Sequence, residues 1–138
     1  MKKLLFLDDY RNPFITLEDG SSWLVFSPIP QPFEVIWVKS YNEFVAWITL
    51  NGLPDAVCYD HDLVEEHYAP KEIWDKPDEV QKRMESFTEK TGYDCAKWTV
   101  EYCMDNNLKL PLYNIQSANP VGKANIDGLF KSFLKHNC

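Results

Sequence analysis

KLLFLDDYRNP at residues 3–13 and AVCYDHDL at residues 56–63 decide the fold, because each is a short apolar run that ends abruptly in carboxylates. Such a run, too short for a helix and without polar alternation, suits a strand buried on both faces of a parallel sheet. Lys3–Leu7 therefore reads as a first strand with Asp8-Asp9-Tyr10-Arg11 at its carboxyl end. Ala56–Tyr59 reads as a third strand ending in Asp60-His61-Asp62. Between them, Glu34–Val38 is rich in β-branched and aromatic residues and gives the second strand. Leu112–Ile115 gives the fourth, closing with Gln116-Ser117-Ala118-Asn119.

Helical signals fill the intervals. Tyr41–Asn51 carries Phe44, Val45 and Ile48 on one face, with Ser40 as N-cap and Gly52 at its end. Thr91-Gly92-Tyr93-Asp94 has the form of a capping box, with Asp in the usual Glu position, and opens a helix to about Asn106. Asn119 and Pro120 suit the N-cap and first position of a last helix reaching about Lys135, in which Ile126, Leu129, Phe130, Phe133 and Leu134 form an apolar stripe. The Asp19-Gly20 turn between Ile15-Thr16-Leu17 and Trp23–Phe26 predicts a hairpin-like excursion followed by a proline-rich loop. Residues 63–90 are polar and charged, with Val80, Met84 and Phe87 at helical spacing near Asp78–Lys90, and read as an insertion that would serve as a lid.

Strands alternating with helices predict an α/β sandwich around a mainly parallel sheet. The 138 residues, 45% hydrophobic and 25% charged, suit one domain, residues 1–138. With 14 Lys plus Arg against 21 Asp plus Glu, the formal charge of −7 argues against a broad nucleic-acid surface. The apolar runs fall far short of the roughly 20 residues that span a bilayer. The four-residue apolar stretch after Lys2-Lys3 is also too short for a signal peptide, so a cytoplasmic protein without membrane contact is expected. Cys58, Cys95, Cys103 and Cys138 form no CxxC pair and have no zinc-type spacing to His61, His67 or His136, which predicts reduced structural thiols.

In a parallel sheet the strand exits share one edge, where ligands of open α/β folds bind. Asp8, Asp9, Asp60 and Asp62 then converge from distant parts of the chain. Two like charges about 5 Å apart repel by roughly 3 kcal/mol at an effective dielectric near 20, so such a group needs a cation, a proton or a basic partner. An all-oxygen set suits Mg²⁺ or Mn²⁺. Taken singly, an Asp-Asp pair is more often a solvated loop and Ser-Ala-Asn-Pro a plain helix cap; the coincidence at one edge points to a site. Arg11 would neutralise phosphate or balance the acids. His61 offers a general acid or base, or a structural hydrogen bond. Gln116, Ser117, Asn119 and Lys123 would hold phosphate at the helix start, where backbone N–H groups and the dipole favour an anion.

The blocks LFLDDYRNP, YDHDL, TGYDCAKW and SANPVGKANI, in that order from Leu5 to about Leu129, resemble the cyclic-phosphate processing receiver-like domains, a divergent branch of the response-regulator receivers found in small bacterial and phage proteins. The resemblance implies a flavodoxin-like (Rossmannoid) three-layer α/β sandwich with a mainly parallel sheet of about four strands in order 2-1-3-4; this chain departs from a signalling receiver in running from the fourth strand into one last helix, where the receiver carries a fifth strand with its lysine. It implies a Mg²⁺- or Mn²⁺-dependent phosphoesterase or cyclic phosphodiesterase acting on a phosphate-bearing small molecule, a nucleotide or an RNA end. Asp8, Asp9, Asp60 and Asp62 would serve the metal, His61, Asp60 and Arg11 the reaction, and Gln116, Ser117, Asn119 and Lys123 the phosphate. Where the family pattern leads one to expect His, this chain has Gln116, which hydrogen-bonds but does not transfer protons near neutral pH. A module that binds a phosphorylated ligand or protein partner without turnover, or accepts a phosphoryl group at Asp60, is the alternative.

Overall fold

The computed structural model describes residues 1–63, 75–85, 90–117 and 119–137. Its strands are β1 (Lys2–Leu7), β2 (Phe33–Val38), β3 (Ala56–Tyr59) and β4 (Leu112–Ile115), and its α-helices are α1 (Tyr41–Asn51), α2 (Pro77–Glu85), α3 (Gly92–Asn106) and α4 (Pro120–Asn137). The strands form one parallel sheet in the order β2-β1-β3-β4. Leu5 pairs with Ile36 on one side and Val57 on the other, and Val57 with Tyr113, so all four strands end at one edge.

The direction of the crossovers places the layers. From β1 the chain steps outward to β2, then returns past β1 to β3 and on to β4. Crossovers between parallel strands are right-handed, so this reversal sends the first connection over one face and the later ones over the other. Packing agrees: Phe44 and Ile48 of α1, Cys95, Ala96 and Val100 of α3, and Ile126 and Phe130 of α4 meet Leu5, Leu7, Val57 and Tyr59 on one face. Leu4, Phe6, Ala56 and Cys58 on the opposite face are covered by Ile29 with Trp23, Leu24 and Phe26.

The helix caps follow the sequence. Ser40 Oγ accepts from Glu43 N at 3.1 Å. Thr91 Oγ1 accepts from Asp94 N at 3.4 Å while the Asp94 carboxylate accepts from Thr91 N at 2.7 Å, closing the capping box. Cys95 and Cys103 are buried, and burial drives both thiol pKa values upward. The stripe of α4 is narrower than its sequence suggests: Ile126 and Phe130 are buried, Leu129 and Phe133 pack against them, and Leu134 is exposed.

The expected hairpin is not formed. Trp23–Phe26 is a 3₁₀ helix, entered from a tight turn in which Leu17 N donates to Ser21 O and Gly20 N to Leu17 O. Local side-chain bonds outcompete strand pairing there: Asp19 accepts from Ser21 N at 3.0 Å, and Ser22 Oγ from Leu24 N at 3.1 Å. The 3₁₀ turn also delivers Trp23, Leu24 and Phe26 together onto the second sheet face. The helix expected near Asp78–Lys90 is found as α2, ending at Glu85, with Val80 buried. The remainder of the expected lid, residues 64–74 and 86–89, lies outside the described residues. Among the described residues no helix is long and apolar enough to cross a membrane.

Candidate metal and phosphate site

Asp8 extends β1 by one residue, its N–H donating to Val38 O at 3.0 Å, while its carbonyl accepts the Trp37 indole N–H at 2.8 Å. These bonds fix the backbone on both sides of the residue. The fully buried carboxylate is held equally firmly: Oδ1 accepts from Tyr10 N and Arg11 N, each at 2.9 Å, and Oδ2 from Arg11 Nη1 and Gln116 Nε2, each at 2.9 Å. Asp8 is thus a hub that ties the β1 exit to the β4 exit.

Asp60 leaves β3 beside it, and one carboxylate oxygen from each of Asp8, Asp9 and Asp60 lies within 4.8 Å of the others. Arg11 Nη1 stands 4.0 Å from Asp60 Oδ1. Burial pushes the Asp60 carboxyl up to about 9, Asp8 adds to the shift, and the Arg11 guanidinium opposes it. With Asp60 ionised, as a bound cation would require, three carboxylates against one guanidinium leave a charge of −2, and the donors are all oxygen. The residues fit a hard divalent cation in charge and in donor chemistry. The Asp8 lone pairs already receive four N–H groups, so its carboxylate serves first to hold the turn that carries Asp9, Tyr10 and Arg11.

Asp62, expected in the same group, is near enough to Asp60 to add to its upward shift but lies outside the set of three converging carboxylates. Its Oδ1 lies 2.7 Å from His61 Nδ1 and 3.4 Å from Asn119 Nδ2. The following leucine, Leu63, is buried in the helix-side core, so the chain turns inward directly after the β3 exit and carries Asp62 toward α4. His61 is only 1% exposed. Its ring fills the space left by Gly122, where a Cβ would stand 2.8 Å from His61 Nδ1 and closer still to Cγ. The His61–Asp62 pair, placed by sequence among catalytic and metal groups, here joins the β3 exit to the start of α4.

That helix start differs from the expected anion cradle. Pro120 has no N–H, Asn119 Oδ1 accepts from Val121 N at 3.1 Å and Gly122 N at 3.0 Å, and Lys123 N donates to Asn119 O at 2.9 Å. The cap thus consumes the N–H groups that were expected to hold phosphate. Ser117 Oγ accepts from Asn119 N at 3.1 Å, a bond that does not use its hydroxyl proton. Lys123 is exposed, and it lines a groove of about 570 Å³ with Tyr113, Asn114, Ile115, Pro120 and Asp127. Arg11 lies over the Trp23 ring, 5.2 Å from its centroid, so an aromatic face and Asp8 together hold the guanidinium at the site.

Two glycines have roles at this site beyond their places in the helix starts. Gly92 N donates to His61 O at 2.8 Å, and a Cβ at this position would collide with the Asp60 carbonyl. Gly122 makes room for the His61 ring. The available signal was a helix-disfavoured residue in the first turn of each helix that abuts the carboxylates. The role of Trp37 left no such signal, since its indole reaches Asp8 across a strand pairing.

A family model described as the cyclic-phosphate processing receiver domain matches residues 3–132. No curated protein and no solved structure matches the chain.

Proposed function

The chain belongs to the cyclic-phosphate processing receiver domain family, and from that premise we propose that it is a divalent-cation-dependent phosphoesterase acting on a nucleotide or cyclic phosphate. The observation that carries this reading is the convergence of Asp8, Asp9 and Asp60 beside Arg11 at the carboxyl edge of a parallel sheet. A bound Mg²⁺ or Mn²⁺ would neutralise phosphate oxygens and favour attack at phosphorus. Asp9 and Asp60 hold the ion, with Asp8 as the residue that positions its neighbours. Arg11, Ser117 and Lys123 are the groups with donors left for a phosphate. Asn119 acts through the helix cap and Asp62 rather than on the ligand. His61, oriented by Asp62, reaches a reacting atom only if the start of α4 moves.

A second reading, binding of a phosphorylated ligand without turnover, draws on the burial of His61 and on Gln116, neither of which offers a ready proton carrier. One assay separates the two. Purified protein is incubated with 2′,3′-cyclic and 3′,5′-cyclic nucleotides, with Mg²⁺, with Mn²⁺ and with chelator, and products are resolved by chromatography. Metal-dependent hydrolysis that is lost in Asp60→Asn supports the esterase. Hydrolysis unchanged in Asp60→Asn refutes the assignment, and metal-dependent binding without product establishes the binding module.

A further inference from the structure

Among the described residues one buried side-chain polar atom lacks a hydrogen-bond partner, Gln116 Oε1. The orientation of this amide is not arbitrary. Its Nε2 faces two acceptors, Asp8 Oδ2 at 2.9 Å and Leu7 O at 3.5 Å, so exchanging the two ends would set oxygen against oxygen. The residue is 4% exposed, and its backbone N–H is fixed to Tyr59 O at 2.8 Å, one residue before Asp60. A carbonyl oxygen is therefore held without a donor in the same carboxamide whose N–H₂ end is bound to Asp8.

Water is a poor partner for it. Oε1 has almost no surface that a water molecule can touch, and a water would stand about 2.8 Å away. A divalent cation accepts a neutral amide oxygen as a ligand at about 2.1 Å and would supply the positive partner that Oε1 lacks. Asp8 cannot supply the missing ligand strength, because Tyr10, Arg11 and Gln116 already donate to both its oxygens. With its N–H₂ end anchored on Asp8, Gln116 keeps a neutral oxygen within the width of one amide group of that saturated carboxylate.

We propose that Gln116 Oε1 is a ligand of the divalent cation held by Asp9 and Asp60, and that an amide oxygen there sets the site's preference for hard cations, Mg²⁺ or Mn²⁺, over Zn²⁺. The inference rests on the cation site proposed above and extends it to metal selectivity. Replacing that oxygen by an imidazole nitrogen keeps a donor for Asp8 and brings a ligand that Zn²⁺ accepts readily.

The test is calorimetric titration of the full chain with Mg²⁺, Mn²⁺ and Zn²⁺, for wild type, Gln116→Met and Gln116→His, with circular dichroism to verify folding. Gln116→Met, similar in volume and without the oxygen, should weaken Mg²⁺ by about tenfold or more. Gln116→His should shift the Zn²⁺-to-Mg²⁺ affinity ratio toward Zn²⁺ by about tenfold or more. Wild-type Mg²⁺ affinity retained in Gln116→Met overturns the inference while leaving the carboxylate site standing. If Gln116→Met fails to fold, an unchanged ratio in Gln116→His overturns it. Absence of cation binding by wild type removes the site itself, a different outcome.

Discussion

Asp60→Asn should have opposite effects on the stability of the metal-free protein and on its response to a cation. In the native site the carboxyl keeps its proton up to about 9, because burial and the neighbouring Asp8 disfavour the charge, against an ordinary value of 3.8. Between these limits the unfolded chain has released the proton and the native chain retains it. Stability therefore falls as pH rises from about 4 toward 9 and levels off above that. At pH 7 the difference amounts to roughly 4 kcal/mol, an upper figure for one strongly interacting carboxyl. Asparagine keeps the shape without the charge. Melts followed by circular dichroism in chelator should show Asp60→Asn several degrees above wild type at pH 8, close to it near pH 4, and free of most of the pH slope. With Mg²⁺ at about 100 times its dissociation constant, wild type should gain roughly 2.7 kcal/mol, and the variant almost none. Because binding must expel the Asp60 proton, wild-type affinity should also climb with pH below 9. A variant that melts below wild type in chelator at pH 8, or that keeps the wild-type slope, refutes the reasoning.

Arg11→Ala removes the positive charge 2.9 Å from Asp8 and 4.0 Å from Asp60, so cation affinity should rise while affinity for a phosphate-bearing ligand falls, both readable by calorimetry. A fall in both would contradict the assigned balance. Gly122→Ala drives a methyl into the His61 ring and should cost about 1–3 kcal/mol in denaturant melts. Gly128→Ala, in the same helix with nothing near its Cβ, should add about 1 kcal/mol. If both substitutions stabilise, the close approach of α4 to His61 is wrong. The Cys58 thiol, pushed up to about 12 chiefly by burial and further by Asp8, should resist iodoacetamide at pH 8 in the native chain, as should Cys95 and Cys103; peptide mass spectrometry showing rapid labelling of Cys58 before unfolding would count against its placement.

The parallel sheet was legible because its evidence is local. Leu4–Leu7 and Ala56–Tyr59 are buried on both faces, so they are apolar at every position, and the acids that follow mark where burial ends. Ser40, Thr91 and Asn119 each satisfy N–H groups within three residues, so the helix starts could be located to the residue. The 3₁₀ helix at Trp23–Phe26 was misread as a strand because alternation over four residues cannot show which face of which layer will bury it. Asp8, Asp9 and Asp60 could be grouped from strand order alone, since parallel strands end together. Asp62 could not be separated from them: its direction depends on the turn after Asp60 and on the position of Asn119, which is 57 residues away in sequence.

The sequence by itself determined the strands, the caps, the strand order through the family resemblance, and the edge at which the carboxylates meet, because each of these follows from patterns within a few residues or from topology. Only the tertiary structure decided how the polar atoms at that edge are paired. It assigned the α4 N–H groups to Asn119 rather than to an anion, set His61 beneath Gly122, saturated Asp8 with donors from two loops, and left Gln116 Oε1 without one. Hydrogen bonds act over about 3 Å and depend on direction, so partner choice between segments a hundred residues apart is fixed by packing, which residue types and spacing do not specify.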